Sequence, residues 1–272
     1  MSYDPQAKRP RDLVCAGCGK GNRDQKMVQF ADGNIKCWAC GHLTVTSENR
    51  ESRSAIEFKF TPEIWKSISE SVIENDWSEG KVNSWWELSL LHKFLYDKFG
   101  IEAIQQINKY QLSRDYRSGR TAFIFRDIHQ NARSIKSVQY LPNGKRDKNL
   151  MPYVPYTKRD GYAQCLFGEH LLKDYTGIVN LVESEKTAII AAIKFPHQVW
   201  LATAGSNGLS YDKAQHLRGR QVFKYVDCDQ AGRQVDRDTK VLAYFNASLQ
   251  VKDLDKNRND GADIADIILE SL

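Results

Sequence analysis

The sequence predicts an α/β protein in three modules: an N-terminal β-ribbon, a mixed α+β middle domain, and a C-terminal domain with a parallel sheet flanked by helices. Three observations predict it. Two Cys-x-x-Cys pairs stand near the front of the chain, and a strongly basic segment in the middle changes from helical to strand-like period. Beyond residue 176, short β-branched runs alternate with helical patterns, the mark of strands joined by helical crossovers. The boundaries fall at 1–46 for the ribbon, 47–60 for a linker, 61–175 for the middle domain and 176–272 for the last.

Cys15-Ala-Gly-Cys18 and Cys37-Trp-Ala-Cys40 are each followed by glycine and stand 18 residues apart. That spacing suits a closed, tetrahedral four-thiolate Zn²⁺ site, which is structural because no ligand position stays open. Disulfides or a redox pair are the competing readings. The chain has no signal peptide and only two other cysteines, Cys165 and Cys228, which favours a reducing, cytoplasmic setting. Between the knuckles, residues 26–36 read as two short strands around a turn at Asp32-Gly33.

Residues 47–59 are polar and charged with no core pattern, so they read as a tether. Thr61-Pro62-Glu63 opens a helix with a cap and a first-turn proline. Ser84-Trp85-Trp86-Glu87 has the form of a capping box, and the helix after it carries Leu88, Leu91, Phe94 and Leu95 before Gly100 stops it. The two tryptophans read as core rather than as base-stacking groups. Residues 101–107 form one more helical piece; after Tyr110 the period becomes that of strands, over 121–126 and 134–140, with a turn at Leu141-Pro-Asn-Gly144.

The formal charge is only +5, but from Lys109 to Asp160 there are 12 Lys/Arg against 4 Asp/Glu. Arg114, Arg117, Arg120, Arg126, Arg133, Lys136, Lys145, Arg146 and Lys148 crowd this part, interleaved with Tyr116, Phe123, Phe125 and Tyr140. Cations among aromatics suit a groove for single-stranded nucleic acid or nucleoside triphosphate. No apolar run approaches 18 residues, which excludes a membrane span.

The C-terminal domain carries the chemistry. The run 177–182 leads at once into Glu183, and 222–226 leads into Asp227-Cys228-Asp229. Alternate strand residues face opposite ways, so Asp227 and Asp229 share a side and Cys228 faces the other. Two carboxylates with a third across a cleft make a hard-oxygen site for Mg²⁺ or Mn²⁺. Lys186-Thr187 suggests a phosphate loop, yet no Gly-x-x-x-x-Gly precedes it, so no ATPase motor is encoded.

A Glu closing one strand and an Asp-x-Asp closing a later one resembles the Toprim domain of bacterial-type primases, topoisomerases and some nucleases. Gly205-Ser-Asn-Gly208 after the strand 199–204 fits the same order, as does Asn259-Asp-Gly-Ala-Asp263 before the last helix, with Asp260 and Asp263 at acidic positions. The glycine that usually follows the first Glu is Ser184 here. The ribbon is similar to the zinc ribbon at the front of bacterial and phage primases, and the middle domain more loosely to the first half of a primase core. Cys165–Gly168 and Glu169–Leu172 mark the expected hinge into the Toprim domain.

The resemblance implies a DNA primase or primase-like replication protein, phage- or mobile-element-borne. Its activity would be divalent-metal-dependent nucleotidyl transfer, making short primers on a single-stranded DNA template from nucleoside triphosphates. Glu183, Asp227 and Asp229 would be catalytic, and together with Asp260 would bind Mg²⁺ or Mn²⁺. Cys15, Cys18, Cys37 and Cys40 would bind Zn²⁺, while Arg114, Arg117, Arg120, Arg126, Arg133, Lys136, Lys145 and Arg146 would hold nucleic acid or nucleotide. A separate replicative helicase is a further partner the resemblance allows. A Toprim nuclease and a non-catalytic DNA-binding accessory factor are the rival readings. The accessory reading is disfavoured because three uncompensated carboxylates near one another cost stability without a cation.

Overall fold

Residues 14–15, 21–22, 27–30, 35–37, 43–44, 65–78, 88–205 and 209–272 are described in a computed structural model of the chain, which divides into two units, Met1–Thr61 and Pro62–Leu272. In the first unit, β1 (Met27–Gln29), β2 (Ile35–Cys37) and β3 (Leu43–Thr44) pair antiparallel in that order, with Met27 opposite Cys37. Asn22 clamps the start of β1: its Nδ2 donates to the Met27 carbonyl at 2.9 Å and its Oδ1 accepts from the Met27 N–H at 2.6 Å. Cys15 and Cys37, one from each knuckle, are buried in one small cluster with Met27. Cys18, Cys40, the expected tether, the helix start at Thr61 and the Ser84–Glu87 capping box with Trp85 and Trp86 lie outside the described residues.

The second unit begins its described part with α1 (Glu70–Asp76) and β4 (Trp77–Ser78), then α2 (Leu90–Phe99) and α3 (Ile101–Lys109). Leu91, Phe94 and Leu95 line the buried stripe of α2, and Gly100, at φ 62°, breaks the chain into α3 as its sequence position predicts. β5 (Leu112–Asp115), β6 (Thr121–Arg126) and β7 (Ala132–Val138) follow, and the antiparallel sheet runs β4-β5-β6-β7. The turn at Leu141–Gly144 forms, its Gly144 N–H bonded to the Leu141 carbonyl at 2.9 Å.

Four strands make the second sheet: β8 (Val179–Val182), β9 (Val199–Ala202), β10 (Gln221–Tyr225) and β11 (Ser248–Lys252). All are parallel, in the order β11-β10-β8-β9. The connections carry α4 (Glu185–Lys194), α5 (Tyr211–Ala214) and α6 (Asp236–Tyr244), and α7 (Ile264–Glu270) closes the chain. Every residue of β8 and β9 is buried, as parallel strands covered on both faces require.

The two sheets of this unit share a core. Phe123 and Phe125 from β6 pack edge-on against Phe167, with ring centroids 5.5 and 5.7 Å apart, and the same cluster takes in Ile189 and Ile190 of α4, Trp200 of β9 and Ile264 of α7. Tyr110 reaches across to donate to the Trp200 carbonyl at 2.8 Å. Residues 165–172, expected as a hinge, are instead woven into this core. Leu166, Phe167 and Leu172 are fully buried, and Phe167 and Ala202 exchange backbone hydrogen bonds at 3.0 and 3.1 Å, so the segment is pinned to the edge of the parallel sheet. Among the described residues, no helix is long and apolar enough to cross a membrane.

Candidate functional site

From β8 the chain crosses to β9 on one side, then returns so that β10 pairs with β8 on the other. Two connections leaving the carboxyl ends of adjacent strands in opposite directions open a crevice there, which is where open α/β sheets bind ligands. Glu183 follows β8 and Asp227 follows β10, so both carboxylates come to this switch point. With Asp229, they line one cleft of about 340 Å³.

Each side chain is held by its local sequence. Ser184 caps α4 by accepting from the Thr187 N–H at 3.2 Å, which fixes Glu183 beside the positive end of a ten-residue helix. The Ala204 N–H bonds the Glu183 carbonyl at 3.0 Å. In the second motif, Gly232 folds back so closely that a Cβ there would lie 2.6 Å from the Asp227 carbonyl oxygen, and its N–H donates to Asp229 Oδ1 at 2.6 Å. Cys228 is fully buried, its N–H bonded to the Ala262 carbonyl at 2.8 Å, which turns Asp227 and Asp229 to the cleft.

The electrostatics are those of an acidic site only partly offset by nearby lysines. Burial, then the charges of Glu183, Asp263 and Asp229, push the Asp227 carboxyl up to about 7. Glu183 is also raised, chiefly by burial, with Asp229 and Asp263 adding repulsion and Lys224 and Lys136 opposing it. Lys224 was not singled out by sequence. Its side chain, 13% exposed, lines the same cleft, and its ammonium donates to the buried carboxylate of Asp238. The signal is its position: a lysine in β10, three residues before Asp227.

Asp260 is not brought into this cluster. One oxygen accepts from the Ala262 N–H and both accept from Arg258 at 2.9 Å, which together hold its pKa down. The fourth carboxylate that acts on Glu183 and Asp227 is Asp263. It caps α7 through the N–H groups of Ala265 and Asp266, in a reciprocal capping box with Asp266, and accepts from the Thr187 hydroxyl. The Asp263-x-x-Asp266 spacing could have identified it.

Two predicted basic residues reach the acidic site. Lys136 and Arg146 line a recess of about 210 Å³ that also contains Glu183, Lys186 and Asp263. Lys136 bonds both oxygens of the buried Glu185, at 2.8 and 3.1 Å. Arg114, Arg117 and Arg120 gather around the β5–β6 turn, where Arg120 donates to the Met151 carbonyl at 3.3 Å. Lys145 and Lys148 are exposed. Arg133 is engaged by Asp127 at 2.7 Å and by the Trp65 carbonyl at 2.6 Å. Arg126 is 4% exposed and grips Glu70 with both terminal nitrogens at 2.6 and 2.8 Å, so its charge is committed to the fold. Of the interleaved aromatics, Phe123, Phe125 and Tyr140 face the core; Tyr116 is exposed.

The donor set fits a hard divalent cation: the carboxylates around the cleft are all oxygen donors, and their mutual repulsion is what a cation would relieve. Among the described residues, no three His, Cys, Asp or Glu side chains form a ready-made shell. Mg²⁺ requires less, since one or two carboxylates suffice when water and substrate phosphates complete its octahedron. In the first unit, a buried thiol from each knuckle in one cluster suits Zn²⁺.

The family described as "Domain of unknown function (DUF6371)" matches residues 89–228, just over half of the chain. No curated protein matches it. Among solved structures, the chain is similar to the primase fragment of the bacteriophage T7 primase-helicase protein, at 18% identity over 96% of this chain and 95% of that one, with a TM-score of 0.46. It is also similar to the zinc-binding and RNA polymerase domains of the Aquifex aeolicus primase, at 13% identity over 100% and 77% of the two chains, with a TM-score of 0.46. A third is the E. coli primase catalytic core, at 19% identity over 65% and 59%, with a TM-score of 0.43.

Proposed function

The chain belongs to the DUF6371 family, and from the geometry of its acidic cleft we propose that it is a primase-type nucleotidyltransferase, making short oligonucleotides on a single-stranded DNA template. One observation carries the reading: Glu183, Asp227 and Asp229 line a single cleft at the switch point of a parallel sheet, with cations of Lys136, Arg146 and Lys186 in the adjoining recess.

In this reading a 3′-hydroxyl attacks the α-phosphorus of a nucleoside triphosphate; the new O–P bond forms as the bond to the β-phosphate oxygen breaks, and pyrophosphate leaves. Asp227 and Asp229 would hold Mg²⁺ or Mn²⁺, which when bound neutralises charge developing on the phosphoryl oxygens. Glu183, its pKa raised by burial, is placed to take the proton of the attacking hydroxyl, because a base works best when its pKa approaches the working pH. Lys136, Arg146 and Lys186 orient the triphosphate, and Arg114, Arg117 and Arg120 hold template phosphates, giving affinity rather than chemistry. Zn²⁺ on Cys15, Cys18, Cys37 and Cys40 would fold the ribbon, and a separate helicase would present the template.

The test is to incubate the chain with end-labelled single-stranded DNA, labelled nucleoside triphosphates and Mn²⁺. New short labelled products on an intact template support priming. A shortened template without new products would make the chain a nuclease.

A further inference from the structure

A second cavity of about 280 Å³ is lined by residues from five separate parts of the second unit, among them Trp65, His129, Gln164, Gln215 and His216. It shares a wall with the acidic cleft. Helix α5 gives Asp212 to this cavity, while the next residue, Lys213, donates to the carbonyl of Thr203, a cleft-lining residue, at 2.6 Å.

The charged groups of the cavity are largely committed. Asp127 accepts from the N–H groups of His129 and Asn131 and from Arg133 at 2.7 to 3.0 Å. Glu169 takes the Leu166 N–H at 3.2 Å and His216 Nδ1 at 2.8 Å. What remains open is of another kind. Three flat rings line the space, those of His129 and His216 perpendicular with centroids 6.2 Å apart. The side-chain amides of Gln164 and Gln215 are half-buried and make no hydrogen bond among the described residues. Each amide presents a donor and an acceptor side by side, the pattern a base edge presents in return. Lys158 lies 5.1 Å over the Trp65 ring and holds Asp212 only by an exposed 3.5 Å pair, so its charge is available to an anion at the rim.

We propose that this cavity binds a single unstacked nucleobase, stacked on its rings and read by Gln164 and Gln215, with the attached phosphate at Lys158. The volume lies just below the roughly 300–1,000 Å³ of small-molecule pockets, which leaves room for one base. The base can come from a free nucleotide or from a single strand. The inference deepens the reading of the neighbouring cleft, and rests on it only for the second source.

The full chain, without added divalent ions, is titrated against 2-aminopurine riboside 5′-monophosphate and, separately, against a short DNA single strand carrying one 2-aminopurine. Stacking quenches the probe, so saturable quenching is expected in at least one titration, and that one identifies the source. Gln164→Leu with Gln215→Leu should weaken binding about tenfold, since two hydrogen bonds are lost. Gln215→Asn alone, which only shortens the fork, should weaken it measurably and serves if the double variant does not fold. Ribose 5-phosphate should not compete, and Asp227→Asn should bind as well as the parent. The inference is overturned by no saturable quenching in either titration, by undiminished binding in folded glutamine variants, or by full competition from ribose 5-phosphate. It is equally overturned if Asp227→Asn abolishes binding, which would move the base into the cleft. Absence of primer synthesis with this binding intact would instead count against the cleft reading alone.

Discussion

Replacing Asp227 by Asn should stabilise the metal-free protein, and the gain should depend on pH in a defined direction. The folded structure holds the Asp227 carboxyl at about 7, against about 3.9 for an ordinary aspartate. A carboxyl raised on folding favours the folded state while it is protonated. That advantage is complete below about pH 4, is lost progressively as pH rises toward 7, and stays lost above. At about 1.4 kcal/mol per factor of ten, the full gap is worth roughly 4 kcal/mol. The carboxylate is only partly buried, and solvent screening brings this to about 2 kcal/mol. For a unit of this size, about 2 kcal/mol moves the melting temperature by roughly 4–8 °C. Thermal unfolding without added divalent ions should therefore show Asp227→Asn melting roughly 4–8 °C above the parent at pH 8, with the gap narrowing toward pH 5. Millimolar Mg²⁺ should raise the parent more than the variant, since a ligand stabilises only the form that binds it. Identical melting at pH 8, or a gap that widens toward acid, would refute the idea of a carboxylate held in place against its burial and the like charges around it.

Purified in reducing buffer, the chain should carry about one zinc, and metal analysis finding much less would contradict a four-thiolate site. Arg126→Gln should cost about 2 kcal/mol in denaturant unfolding, because a buried guanidinium loses its paired bonds to Glu70 and its bond to the Gln130 carbonyl, while leaving the salt dependence of single-strand binding unchanged. Lys136→Gln with Arg146→Gln should lower the slope of log affinity against log salt by roughly 1.4, and should also cost stability, because it leaves the buried Glu185 carboxylate without its cation. Asp263→Ala should cost about 1 kcal/mol through the lost cap of α7, measured beside an exposed Asp260→Ala that changes stability by less than about 0.5 kcal/mol.

Three of the four parallel strands are legible because they are short and largely apolar, with β8 and β10 leading into carboxylates, a pattern that needs no long-range information; β11, with Ser248, Gln250 and Lys252, carries no such apolar run. Glu183, Asp227 and Asp229 came with β8 and β10, since strand ends fix where such residues lie. Sequence could not tell which cations face the cleft. Arg126 and Lys136 sit in similar strands with similar neighbours, yet a carboxylate 56 residues away commits Arg126 to the core, whereas Lys136 meets Glu185 beside the site. The same limit made 165–172 read as a hinge: its burial depends on Phe123, Phe125 and Ala202, none of them near in sequence. Asp260 was preferred to Asp263 because capping is decided by which carboxylate meets the first N–H groups of α7. Lys224 is legible only in part: its place three residues before Asp227 marks it, but its pairing with Asp238 of the next helix is decided by the fold.

The most direct test of the acidic cleft as a nucleotidyl-transfer site is the initial rate of primer synthesis on single-stranded DNA, measured across a Mg²⁺ titration for the parent, Asp227→Asn and Asp229→Asn. The parent should make short labelled products in an ion-dependent manner, and each variant, still folded, should be slower by at least about a hundredfold, the equivalent of roughly 2.7 kcal/mol of transition-state stabilisation. Synthesis by Asp227→Asn at the parental rate would contradict the assignment.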